Sequence, residues 1–191
     1  MKVFFTAMLA ALLLAPTTAV SDEGLPWSLI GYGAIYTPER LQDMVFNHHS
    51  YEDSYFAALA LNRKFARTGP YIGWEVEGQM VKHFGRQDHF EYNALVIARW
   101  DRFPWNHRVP MTLAVGEGLS WATRKPELEI EDDEPASQLL NYLLFEVTVR
   151  PSPESRWYWS GRIHHRSGIY GLFNGVHGGS NFIGMGLGYR F

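Results

Sequence analysis

The last eleven residues constrain this chain more than any other feature. In "NFIGMGLGYRF", Ile183, Met185, Leu187, Tyr189 and Phe191 share one parity, while Phe182, Gly184, Gly186, Gly188 and Arg190 take the other. Strict period two over that length describes a strand with one apolar face, because a helix would scatter the same residues around its circumference. Similar stretches recur upstream, at 28–36, 53–65, 71–84, 89–103, 111–122, 138–150 and 156–167, and the final one spans 178–191. That makes eight strands, the smallest even number that closes a membrane barrel. Most reach the ~9–11 residues that a tilted strand needs to cross.

The amino terminus indicates where such a barrel goes. Lys2 precedes an apolar run from Val3 to Leu14, followed by small residues up to Ala19. The run is shorter than the ~20 residues of a spanning helix. Residues 1–19 therefore read as a secretory signal peptide, and residues 20–191 as a single barrel domain. Its loss moves the formal charge from −3 to −4, too little to attract nucleic acid. An exported chain without cysteine has no disulfide staple and depends on burial and hydrogen bonding. Aromatic residues make up 15%, yet no long apolar run follows the signal, as expected for strands whose apolar residues are diluted by alternation. A last strand ending on Phe191 also resembles the closing strand of bacterial outer-membrane barrels. The expected fold class is all-β: an eight-stranded antiparallel transmembrane β-barrel of the outer membrane, its wall against that bilayer.

Parity assigns the faces. In the third strand Trp74, Val76, Gly78 and Met80 alternate with Glu75, Glu77, Gln79 and His83; the sixth puts Leu143, Phe145, Val147 and Val149 opposite Glu146 and Arg150. The apolar set is expected outside and the polar set inside. Buried charges must be paired, so Glu75, Glu77, Glu91, Glu146, Arg99, Arg150 and Arg162 are expected to form an internal salt-bridge plug, which leaves no pore. Trp27, Trp100, Trp105, Trp157 and Trp159 read as interfacial girdle residues. The long connections 37–52 and 123–137, with 168–177, are expected on the outer side, and the short turns on the other.

The seventh strand carries the chemistry. Within "SGRIHHRSGIYG", Trp157, Trp159, Gly161, Ile163, His165 and Ser167 share the outward parity, whereas Arg162, His164 and Arg166 face the lumen. A serine hydroxyl needs an adjacent base to become a nucleophile at neutral pH, and histidine is the side chain suited to that. His165 and Ser167, on successive outward positions, are the candidate base and nucleophile. The adjacent His164 and His165 point to opposite faces, so no zinc site is expected of them.

The tail "RIHHRSGIYGLFNGVHGGSNFIGMGLGYRF" resembles the ending of the PagL family, outer-membrane lipid A 3-O-deacylases: a His-x-Ser near the end of the penultimate strand, a glycine-containing loop, and a last strand finishing in an aromatic residue. The resemblance implies a barrel esterase with its site on the lipid-facing wall, a lipid A or lipopolysaccharide substrate from the outer leaflet, and no cofactor. Carried over by position, Ser167 is the nucleophile and His165 its base. The family's third member is a glutamate at the start of the last strand, where this chain has Asn181, and no acidic residue follows Glu154. Asparagine orients the catalytic histidine in some cysteine proteases, so Asn181 takes that place. The family's asparagine after the serine is Gly168 here, leaving backbone N–H groups of Gly168 and Ile169 as oxyanion donors. Glu117, two strands away and starting ~10 Å off, is expected instead to pair with a luminal arginine.

Two other classes stay open: a catalytically silent barrel acting through its loops, and a periplasmic ligand-binding barrel with Ile183, Met185 and Leu187 turned inward. A homodimer also stays open.

Overall fold

The computed structural model describes residues 18–19, 24–39, 41, 43–44, 50–130 and 136–191. The signal segment lies outside the described residues except for Thr18 and Ala19, whose backbones pair with Arg67 and Ala66. Eight strands form the rest: β1 (Trp27–Thr37), β2 (Ser54–Thr68), β3 (Ile72–Gly85), β4 (Phe90–Trp100), β5 (Met111–Ala122), β6 (Leu139–Val149), β7 (Trp157–Ser167) and β8 (Gly179–Arg190). Each pairs antiparallel with its neighbours in sequence, and β8 returns to β1 from Ser28↔Arg190 to Thr37↔Asn181, closing the barrel. Closure leaves no unpaired strand edge, which is what allows a sheet to sit in an apolar solvent.

Burial follows the alternation. β2 runs buried and exposed in strict turn from Ser54 to Arg63, and β7 buries Tyr158, Ser160, Arg162, His164 and Arg166. Outside are Leu29, Leu59, Val76, Met80, Val96, Leu113, Val115, Val147, Met185 and Leu187, all exposed. Charges inside and hydrocarbon outside invert the arrangement of a soluble barrel, and are stable only where the wall meets an apolar medium. The expected girdle tryptophans Trp100, Trp105, Trp157 and Trp159 stand exposed towards the turn end.

The charged part of the interior is a connected network. Arg99 donates from Nε to Glu75 Oε1 at 2.8 Å and from Nη2 to Glu146 Oε2 at 2.6 Å. Arg162 clamps Glu77 with both terminal nitrogens, at 2.8 and 2.9 Å, and reaches Glu146 Oε1 through Nε at 2.9 Å. Two arginines thus satisfy three carboxylates, the condition under which buried charges stop costing several kcal/mol each. Glycines on the inner face of β8 make room: a Cβ on Gly188 would lie 2.1 Å from the Tyr158 ring.

Three sequence expectations are corrected here. Arg150 lies outside the plug, donating to the Pro153 carbonyl at 2.5 Å, because it follows the end of β6 at the turn. Glu91 is paired with His83 and His164, each at 2.9 Å, and no arginine forms an ion pair with it among the described residues. Trp74 is buried: beside the bulge between Lys64 and Ala66, its indole N–H turns to Thr68 Oγ1 at 2.8 Å. A bulge adds a residue and re-aims its neighbours, which simple parity does not anticipate.

The strand ends that flank connections 38–53, 86–89, 123–138 and 168–178 lie at one end of the barrel, and those that flank 69–71, 101–110 and 150–156 at the other. Ser167 ends β7 and Asn181 opens β8, so both stand at the long-loop end.

Candidate functional site on the outer wall

β7 presents His165 and Ser167 outward, half-buried, while the intervening Arg166 is inside and 1% exposed. In the ladder His165 stands between Leu143 of β6 and Asn181 of β8; Ser167 stands between Asn141 and Gly179. Asn181 Oδ1 lies 2.5 Å from His165 Nδ1, and Asn181 Nδ2 donates to the Glu39 carbonyl at 2.8 Å. The second bond fixes the first. A carbonyl only accepts, so the amide nitrogen must face Glu39 and the amide oxygen must face the imidazole. That oxygen accepts from Nδ1–H, leaving Nε2 as the nitrogen with the lone pair. No hydrogen bond joins His165 to Ser167 among the described residues; successive outward positions are ~6.6 Å apart at the backbone.

The loop after Ser167 explains Gly168. A Cβ there would sit 1.9 Å from the Val176 carbonyl oxygen, so the asparagine expected from the family resemblance cannot be housed without moving the loop. The Gly168 N–H donates to the Gly178 carbonyl at 3.2 Å, which removes it as an oxyanion donor and corrects that expectation. Ile169 and Tyr170 follow at φ 45° and 53°, a region that costs non-glycine residues of order 1–3 kcal/mol each. The Ile169 N–H has no partner among the described residues.

Glu117 requires a further correction: it does not meet a luminal arginine. It shares the outward parity of Leu113, Val115, Leu119 and Trp121, is half-buried, and is reached by the Asn141 side chain. The alternation "LAVGEGLSW" already carried that signal. Asn141, 6% exposed, is a site neighbour that the sequence reading passed over, although Leu139 and Leu143 fix its parity outward. The Glu39 carbonyl comes from a connecting loop and had no sequence signal.

His164 is luminal, its ring 4.5 Å from that of Tyr142 and 4.9 Å from that of Phe56. Among the described residues, His83, His89 and Glu91 are near enough to one another to hold an ion. The two rings stack at 4.4 Å and 13°, so their lone pairs lie in nearly parallel planes, and both His83 nitrogens are engaged, by Glu91 and Gln87. A cavity of about 290 Å³ opens at the opposite, turn end, lined by Asn62, Glu75, Arg99, Thr112 and Arg190, away from these residues.

These features define an eight-stranded closed barrel with an apolar outer wall and a polar patch set into it. In structure it is similar to Neisserial surface protein A, with a TM-score of 0.51 over 89% of this chain and 100% of that one at 13% identity. No protein-family model matches the chain, and no curated protein matches it in sequence.

Proposed function

We propose that this protein is an outer-membrane esterase that removes an ester-linked acyl chain from lipid A, with Ser167 as nucleophile, His165 as base and Asn181 as the positioning residue. The observation that carries the reading is the Asn181 bridge: tied to the Glu39 carbonyl at 2.8 Å and to His165 Nδ1 at 2.5 Å, it leaves Nε2 as the basic nitrogen of a histidine one outward position from Ser167. Ser167 Oγ attacks the acyl carbonyl carbon as His165 Nε2 takes its proton, and the carbonyl π pair moves to oxygen. Collapse breaks the ester C–O bond, and His165 returns the proton to the departing sugar oxygen, which leaves as a hydroxyl. Water, deprotonated by the same nitrogen, then attacks the acyl-serine carbonyl; the C–Oγ bond breaks, His165 returns that proton to Ser167 Oγ, and the free acid leaves. Substrate enters sideways from the outer leaflet, which gives an outward-facing site its purpose.

A second reading, a catalytically silent barrel, is favoured by the missing hydrogen bond between His165 and Ser167. Catalytic hydrogen bonds often tighten only around substrate, so that gap does not decide the matter. Mass spectrometry of lipid A from cells expressing the chain separates the two. Loss of one acyl mass is expected with the wild type and not with Ser167→Ala or His165→Ala; an unchanged profile with the wild-type barrel inserted in the outer membrane overturns the esterase.

A further inference from the structure

The polar patch is wider than the proposed triad. Along β5 to β8 the outward positions nearer the turns are apolar or glycine: Val115, Phe145, Ile163 and Ile183 form the adjoining row. Above that row stand Glu117, Asn141, His165, Ser167 and Asn181, on four consecutive strands. An acidic or amide side chain on a lipid-facing wall is costly unless it is satisfied, so Glu117 and Asn141 call for a use that His165, Ser167 and Asn181 do not supply.

We infer that Asn141, held by Glu117, donates its side-chain N–H to the oxyanion formed at Ser167. This rests on the esterase reading above. Asn141 is the direct cross-strand partner of Ser167, at a position where Cβ atoms are ~4.5–5.5 Å apart. An acyl oxygen on Ser167 is therefore within reach of the amide. Glu117 stands diagonal to Asn141 on the far strand, where its carboxylate can accept one amide proton and leave the second proton of that nitrogen for the patch. The carboxylate lies on the side of Asn141 away from Ser167, so the oxyanion meets the amide before it meets the charge. The need is independent: Gly168 carries no side chain and its N–H is taken by Gly178, leaving the Ile169 N–H as the next backbone donor along the chain from the serine. Asn141 is the catalytic donor; Glu117 is a positioning residue.

The test is kcat and KM of the mature barrel in detergent micelles on a medium-chain p-nitrophenyl ester, with folding checked by heat-modifiable migration. Removing one oxyanion donor costs about 100-fold or more in kcat, so Asn141→Ala and the isosteric Asn141→Asp are both expected to fall by about that factor. KM is expected to stay within about threefold, since the bond forms only in the transition state. Glu117→Gln, which loses the anchor without losing volume, is expected to fall about tenfold in kcat alone. A folded Asn141→Ala within threefold of wild-type kcat, or one changed only in KM, overturns the inference while leaving the esterase standing. A wild-type barrel as inactive as Ser167→Ala overturns both.

Discussion

At the scale of single residues, Asn181 is where this chain departs from the pattern it resembles, and the departure has a local cause. A carboxylate at 181 would present an oxygen to the Glu39 carbonyl with no proton between them, whereas the amide supplies the donor that Glu39 requires. Restoring an acid is therefore expected to harm. On the esterase reading proposed above, Asn181→Asp should lower kcat about tenfold, although a carboxylate would stabilise an imidazolium better in isolation. A rate equal to or above wild type would show that the Glu39 bond is dispensable.

At the scale of elements, the long connections do more than link strands. The 3₁₀ turn Glu127–Glu129 dips into the barrel mouth, where Arg166 Nη1 donates to Glu129 Oε1 at 3.1 Å and Ser180 Oγ donates to it at 2.7 Å. Burial pushes the Glu129 carboxyl up, with Arg166 pulling it back. Its contribution is therefore greatest at low pH and is lost as pH rises through the folded value. His89, in the β3–β4 connection, behaves oppositely: burial and the neighbouring His83 hold it down to about 4. The unfolded chain takes a proton below about 6.5 that the folded chain refuses, so stability falls from about pH 6.5 towards 4. Urea unfolding in micelles at pH 7 and pH 4.5 should show a loss of about 2 kcal/mol that His89→Gln removes. An identical pH profile in the variant would mean that another group carries the effect.

At the scale of the whole molecule, the barrel divides two solvents, and its energetics follow from which residues meet which. The lumen combines buried apolar clusters with paired charges, Glu146 joining Arg99 to Arg162. The outer wall has only lipid to satisfy it. Met185, 76% exposed on that wall, is the direct probe. Met185→Arg should cost about 2–4 kcal/mol of stability in vesicles if it sits near the bilayer midplane. In a water-soluble barrel the same exposed substitution would be nearly neutral, and that outcome would reject the membrane assignment.

The sequence by itself determined the alternation, and with it the strand count, the approximate strand limits and the separation of His164 from His165. Parity is a local property of a pleated chain, readable from neighbours two residues apart. It also placed Glu75, Glu77, Arg99 and Arg162 inside together. Only the tertiary structure decided which charge meets which, because pairing depends on the register between strands far apart in sequence, as between Glu77 and Arg162. The same holds for the outer patch. Asn141, Ser167 and Asn181 become neighbours only when β6, β7 and β8 are aligned, and the Glu39 carbonyl joins them only because the barrel closes between β8 and β1.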